Sequence, residues 1–486
     1  MAVSPTNKLL LFKTHPYSFW VLQNVKSHLH IPPLLSTKQP SCQQSPFLSF
    51  HRRNLSSKCT PHEPRPLSDH WRELHGENDW ARLLDPMDPG LRSELTRYGD
   101  MAQACYDAFN ADAFSTTYGS CRYTSRDFFS RLGMESSGYD ISHYLYATSK
   151  FNLPGLVEKQ SRLRSEKGYW IGYVAVSNDE KSKILGRRDI AIAWRGTQTV
   201  LELLEDFKDT LRPIPPDTIS CPDPRVKIVS GFLDLYTDKN EGRQDQRPSF
   251  LSSPREQVLA QVKELMERYP DEEMSVTLTG HSLGGALAVL SGYEILERVV
   301  KQDKRARALP VPVCVYSFAG PRVGNLRFKE KVEEVGLKVL RVVNVRDRVP
   351  KAPGLFLNEG LPPAVMKAVG WLPWCYSHVG VELALDNEAS PFLKRGRDVE
   401  TRHNLEGYLH LLDGYRGTER GLGFKLSGER DLALVNKSCD FLKNNYPESL
   451  KEEYPFLKDD YMIPPNWKQN EDKGMVKNKD GRWIHP

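Results

Sequence analysis

Val276-Thr-Leu-Thr-Gly280-His281-Ser282-Leu283-Gly284-Gly285 is followed at once by Ala286-Leu-Ala-Val-Leu290. A short β-branched run ends in Gly-x-Ser-x-Gly and passes directly into a helix-forming stretch. This arrangement predicts a nucleophile elbow, a sharp strand-to-helix turn that lifts the Ser282 hydroxyl clear of the backbone. Gly280 and Gly284 suit the turn because a Cβ beside Ser282 would collide with the adjoining strand and helix. The helix that follows directs the positive end of its dipole toward a developing oxyanion.

Outward from that turn, composition narrows the possibilities. The chain has 486 residues, of which 39% are hydrophobic. That is enough for a large core in one α/β unit or in two or three average domains. No stretch approaches the roughly 18 uncharged apolar residues of a membrane span, so a soluble or peripheral chain is expected. The net charge of +5 is unevenly placed. Residues 1–62 contain no Asp or Glu and carry seven Lys and Arg; the remainder then holds 60 bases against 62 acids. A nearly neutral body gives no reason to expect a nucleic-acid partner. The basic, Ser- and Pro-rich start has the composition of an organelle transit peptide, with a basic tail carrying no address as the alternative. Many hydroxylated residues and few arginines favour chloroplast over mitochondrion.

Eight cysteines are scattered without CxxC or Cys/His metal-ligand spacing, so no metal is expected. Cys105 and Cys314 read as buried free thiols, and a Cys121–Cys221 disulfide stays open.

Elsewhere, apolar residues recur at three- and four-residue intervals from Trp71 through Leu91 to Tyr106, which predicts a helical N-terminal stretch. Strands are expected at 139–147, 170–176, 189–194, 275–279, 311–318 and 338–345. Helices are expected at 254–268, 283–300 and 326–335. This alternation implies a mainly parallel or mixed sheet covered by helices, an α/β fold. The tail after Thr418 is polar, with Trp467 and Trp483 as isolated anchors.

A serine hydroxyl needs a base, and the base needs an acid to hold its tautomer. In α/β-hydrolases the acid follows a later strand and the histidine comes last. Asp347 fits: it follows Val342-Val-Asn-Val345 and precedes Arg-Val-Pro350, which turns the chain. The other reading is a surface Asp paired with Arg346 or Arg348. Among the later histidines, His403 stands just before the helical Leu405-Glu-Gly-Tyr-Leu-His410 and is the preferred base. His378 reads as part of a strand, His410 as a helix-core residue, and His485 lies in the polar tail. Expected oxyanion donors are the Leu283 amide and a backbone N–H of the loop Arg195-Gly196-Thr197-Gln198. The amphipathic 200–211 is either core or a lid. The aromatic 354–374 either packs into the core or grips acyl chains at a membrane interface.

These landmarks resemble the class 3 (fungal-type) lipases, and more closely the plant phospholipase A1 family, chloroplast class I, gamma subgroup. The matching stretches are Arg195-Gly-Thr, Gly231-Phe-Leu-Asp-Leu-Tyr, Gly280-His-Ser-Leu-Gly-Gly, Gly320-Pro-Arg-Val-Gly-Asn, Asn344-Val-Arg-Asp-Arg-Val-Pro and His403-Asn-Leu-Glu-Gly-Tyr-Leu. The N-terminal Tyr98-Gly-Asp-Met-Ala-Gln-Ala-Cys-Tyr and the C-terminal Gly481-Arg-Trp also match. Ser230, where fungal relatives often carry a charge, departs from the pattern.

The resemblance implies an α/β-hydrolase with a Ser282, Asp347 and His403 triad, oxyanion donors Thr197 and Leu283, and no cofactor. It implies a transit peptide over 1–62, a lipase domain over 63–418 and a packed extension over 419–486. The implied activity is hydrolysis of the sn-1 ester of glycerolipids (phosphatidylcholine, galactolipids or triacylglycerol) at a membrane or lipid-droplet surface. The implied location is the plastid, soluble or peripheral to thylakoid or plastoglobule. Two rivals stand beside it: a non-enzymatic lipase-like scaffold, and an acyltransferase using the same serine. Fewer than about ninety residues follow His403, too few for a scaffold's large partner domain.

Overall fold

Strand Met274–His281 is buried along its whole length, and its alternating side chains meet helices on both faces. Thr277 and Thr279 point to one side, where their hydroxyls meet the Tyr98 hydroxyl at 3.3 Å and the Tyr98 carbonyl at 3.0 Å. Leu278 points to the other, toward Gly292 of the helix that follows Ser282. A strand covered on both faces is what parallel α/β sheets require.

The computed structural model describes residues 65–453 together with 476–477 and 483–484. Within that span, 113–114, 116, 148–167, 198–209, 216–220, 222, 240–251, 304–309, 355–364, 366–374, 396–398, 419–422, 429, 438–440 and 444–445 are not described. In chain order the principal elements are α1 (Leu67–Leu74), α2 (Pro89–Asp107), α3 (Phe128–Arg131), β1 (Tyr139–Ala147), β2 (Tyr169–Ser177), α4 (Asp179–Leu185), β3 (Arg188–Trp194), β4 (Leu211–Pro213) and β5 (Lys227–Val229). They continue as α5 (Ser230–Thr237), α6 (Pro254–Arg268), β6 (Met274–His281), α7 (Leu283–Ile295), β7 (Val313–Phe318), α8 (Leu326–Val335), β8 (Lys338–Asn344), β9 (Val381–Leu385), α9 (Val399–Arg402) and α10 (Leu405–Gly414).

Seven strands form one sheet in the order β1-β2-β3-β6-β7-β8-β9. From β3 to β9 every neighbour is parallel, while β1 and β2 add an antiparallel edge. The sheet is therefore mixed and mostly parallel, and with its covering helices the fold is an α/β-hydrolase. Helix α7 packs on β3, β6 and β7. All of its residues are buried, which matches a sequence apolar on every side. Helix α2 covers the opposite face of the same strands and packs against α10.

Local signals account for the ends. Ser253 and Glu256 form a reciprocal capping box at α6, with Pro254 in its first turn. Asn325 caps α8, and Gly336 closes it in the left-handed region at φ 84°. The expected helix 283–300 is present, its last turn widened into a π-turn over Leu296–Val300.

Two expectations need correction. The N-terminal helical stretch is two helices, separated by turns between Leu74 and Pro89. The Asp88 side chain caps Leu91 with Pro89 in the first turn, a start signal that overrides apolar spacing. The strand read around His378 begins only at Val381. Gly380 turns the chain just before it at φ 83°, a conformation that ends extended structure. All five described cysteines, Cys121 and Cys221 among them, are free thiols, and Cys105 and Cys314 are buried. Residues 200–209 of the 200–211 segment and nearly all of 354–374 lie outside the described residues, as do Trp467 and His485. Among the described residues, no helix is long and apolar enough to cross a membrane.

Candidate active site

Ser282 stands between β6 and α7 with φ 58° and ψ −127°, a backbone conformation that L-residues rarely adopt. Such strain costs on the order of 1–3 kcal/mol and persists only where its surroundings enforce it. Here they do. The Ser282 amide donates to the Phe318 carbonyl at 2.9 Å, which ties the turn to the end of β7. A Cβ on Gly280 would come within 2.3 Å of Gly284 main chain, and one on Gly284 within 2.2 Å of the Trp194 carbonyl. Both glycines are thus required by close backbone approach, as the motif predicts.

Parallel pairing sets the oxyanion loop beside this turn. Trp194, the last residue of β3, is in register with Gly280. Arg195, Gly196 and Thr197 follow immediately, and a Cβ on Gly196 would lie 2.6 Å from the His281 carbonyl. The first amides of α7, Leu283 among them, have no acceptor within their own helix. The loop that carries Thr197 and the start of α7 at Leu283 therefore both adjoin the Ser282 turn.

Asp347 is delivered by β8. Its amide closes a turn onto the Asn344 carbonyl at 2.9 Å, and one carboxylate oxygen accepts the Val349 amide at 2.9 Å. The other oxygen receives His403 Nδ1 at 2.6 Å and the Tyr408 hydroxyl at 2.7 Å. His403 lies between α9 and α10: its amide donates to Val399, and the next residue, Asn404, caps α10 through the Gly407 amide. Asn344 Nδ2 donates to the Arg402 carbonyl at 3.1 Å, fastening β8 to the histidine's own backbone. Asp347 and His403 are 1% and 2% exposed, so their charge-assisted contact is shielded from water.

The His281 ring packs against the His403 ring at a tilt of 38°, with centroids 4.5 Å apart, which places His403 against the elbow. Ser282 Oγ, His403 Nε2 and Thr197 Oγ1 are all buried and have no hydrogen-bond partner among the described residues. No hydrogen bond therefore joins Ser282 to His403 in this structure. In enzymes of this kind such bonds often shorten only in the substrate complex.

The other histidines sit elsewhere. His410 is satisfied by Ser390 Oγ at 2.7 Å among Phe392 and Phe424, and burial pushes its pKa down to about 3. Burial, with Arg341 and Arg322 nearby, holds His378 well below the usual histidine range, and Pro350 main chain is its partner. Three contacts were missed from sequence: Tyr408 on Asp347, Tyr106 on His281, and the Arg195 side chain beneath Gly196. All three lie in motifs quoted above, but an apolar-face reading of α2 and α10 counts both tyrosines as core. Among the described residues no His, Cys, Asp and Glu group has the arrangement of a metal site.

Residues 191–357 match the class 3 lipase family. Phospholipase A1-Igamma1, chloroplastic, of Arabidopsis thaliana is 55% identical over 432 residues, spanning 87% of this chain and 79% of that protein. Phospholipase A1-Igamma2, chloroplastic, of the same plant is 55% identical over 428 residues, covering 87% and 77%. Its Galactolipase DONGLE, chloroplastic, is 43% identical over 352 residues, covering 72% and 70%. The chain belongs to the plant phospholipase A1 family of class 3 lipases, within its Igamma group.

Proposed function

We propose that this protein is a serine acylhydrolase that cleaves the sn-1 ester of glycerolipids through an acyl-enzyme on Ser282. The observation that carries the reading is the buried Asp347–His403 contact beside a strained Gly-x-Ser-x-Gly turn, within a chain 55% identical to named phospholipases A1. In the proposed reaction His403 Nε2 takes the Ser282 proton while Asp347 holds Nδ1 and stabilises the imidazolium. Ser282 Oγ attacks the ester carbonyl, and the oxyanion rests on the Thr197 and Leu283 amides. The lysolipid leaves with the proton from His403. Water, deprotonated by His403, then releases the fatty acid and restores Ser282.

Phosphatidylcholine and galactolipids are the proposed substrates, a choice supported by the names of the relatives. Triacylglycerol is the third. Contact with a membrane or lipid-droplet surface is the accompanying proposal. The test is incubation of purified protein with phosphatidylcholine and monogalactosyldiacylglycerol vesicles, with products separated by position. Ser282→Ala is expected to keep its fold and vesicle binding while hydrolysis falls by about 10³-fold or more. Retained hydrolysis would remove Ser282 from the mechanism, and sn-2 fatty acid as main product would remove the positional assignment.

The acid-free, basic residues 1–62 are proposed to be a plastid transit peptide, supported by relatives named chloroplastic. The lipase domain then runs over 63–418, with 419–486 as an extension packed upon it. A C-terminally tagged chain is expected in chloroplasts, in the stroma or at thylakoid or plastoglobule surfaces. Removal of 1–62 should leave it in the cytosol, and unchanged import would refute the assignment.

A further inference from the structure

Arg195 places a positive charge directly under the oxyanion loop, and nothing described balances it. The residue is 2% exposed. Its Nε donates to the Trp170 carbonyl at 3.0 Å, and one terminal nitrogen donates to the Gly196 carbonyl at 3.2 Å. The guanidinium carbon lies 3.9 Å from the centre of the Phe109 ring. Among the described residues, the groups bearing on its charge are Tyr106, Cys105 and Tyr118, and none is a carboxylate. Burial pushes its pKa down to about 10, which leaves it cationic at neutral pH. A buried cation without a counter-ion is costly, and a neutral residue would avoid that cost.

Peptide geometry indicates what the charge does. In a trans peptide the carbonyl of one residue and the amide N–H of the next point in opposite directions. Holding the Gly196 carbonyl on the guanidinium therefore turns the Thr197 N–H away from Arg195. Gly196 is also pressed from its other flank. A Cβ there would come within 2.1 Å of the Tyr106 hydroxyl and 2.6 Å of the His281 carbonyl. The Tyr106 hydroxyl in turn lies 2.8 Å from His281 Nδ1. Burial, and then the neighbouring His403, hold His281 far below the usual histidine range, so it stays neutral. A neutral His281 shares one hydrogen bond with the Tyr106 hydroxyl at Nδ1 and lies against the His403 ring without competing for positive charge.

We propose that Arg195 and Tyr106 are positioning residues that clamp Gly196 and so aim the Thr197 amide at the ester oxygen. Arg195 fixes the direction of the Gly196–Thr197 peptide. Tyr106 locks the same loop to His281 and, through the contact of the two imidazole rings, to His403. Oxyanion donor and general base are thereby held in one frame before substrate arrives. Preorganisation of this kind acts on the transition state and leaves ground-state binding alone. The inference rests on the assignment of Thr197 as an oxyanion donor and of Ser282 as nucleophile.

Three variants test it: Tyr106→Phe, which removes one oxygen; Arg195→Lys, which keeps the charge but loses the planar fork; and Arg195→Met, which removes both. Each is assayed on a soluble short-chain p-nitrophenyl ester for kcat and KM separately, and for affinity toward an alkyl boronic acid that forms a tetrahedral adduct with the serine. Expected losses in kcat are about tenfold for Tyr106→Phe and about 10²-fold for Arg195→Met, with Arg195→Lys between them. KM should stay within about twofold, and boronate affinity should fall in step with kcat, since the adduct uses the same donors. A merely structural role would instead lower thermal stability or raise KM, with boronate affinity unchanged.

Unchanged kcat, or lost kcat with undiminished boronate affinity, overturns the proposal. Should Arg195→Met fail to fold, Tyr106→Phe and Arg195→Lys decide the matter on the same readouts. Ser282→Ala is run in parallel. If it stays active, the underlying reading fails; if it is dead while both conservative variants keep full kcat, only the clamp fails.

Discussion

Asp347 receives three hydrogen bonds, from His403, Tyr408 and the Val349 amide. A fully buried carboxylate that lost one of them would be held less firmly in its orientation. Hydrogen bonds to charged groups contribute about 1.5–3 kcal/mol each. Tyr408→Phe is therefore expected to lower kcat about tenfold at little-changed KM, with a melting temperature only a few degrees lower. Steady-state kinetics beside thermal denaturation checks this, and wild-type kcat would show that the phenol oxygen is dispensable. As candidates, Ser282, Asp347 and His403 are legible because each stands at a local signal: a glycine-flanked turn, a strand end before Pro350, a helix start. Tyr408 is not, because a tyrosine five residues beyond His403 on an apolar helix carries no mark of what its hydroxyl reaches.

At the level of elements, periodicity read best where a segment is buried on one regular pattern. The expected boundaries of β1, α6 and α8 coincide with the structure. It read worst where one turn signal competes with continuing apolar spacing, as at Asp88-Pro89 and Gly380. Pairings across the chain were invisible as well. Helix α10, which follows His403, is buried throughout, and its Glu406 meets Arg430 and Lys437. Those two bases also meet Asp100 and Asp107 of α2. The residues after Thr418 read as polar tail, yet their charges close on acids more than three hundred positions earlier. No local pattern encodes a partner at that separation.

For the molecule as a whole, buried histidines make folding sensitive to acid. His75 and His410 sit at about 4 and about 3, lowered chiefly by burial from an ordinary 6.5. Between 6.5 and those values the unfolded chain binds protons that the folded chain excludes, so stability falls as pH falls through that window. Glu94 sits at about 2 because Arg97, His75 and Arg187 outweigh its desolvation. Its contribution is present above the ordinary carboxylate range and is lost toward pH 2. Chemical denaturation at successive pH values is expected to show stability declining below about pH 6.5, each histidine adding up to about 1.4 kcal/mol per pH unit. His410→Gln should make that decline shallower, and a flat profile from pH 7 to 5 would refute the account.

The contact between Asp347 and His403 joins two distant points of the chain. The chain departs from the acid, travels 56 positions, and comes back to within a single hydrogen bond of where it left. Doubling such an excursion adds only about 0.6 kcal/mol of closure entropy. Descendants of this gene can thus lengthen, shorten or redecorate the stretches on either side of β9 while Asp347 and His403 stay joined.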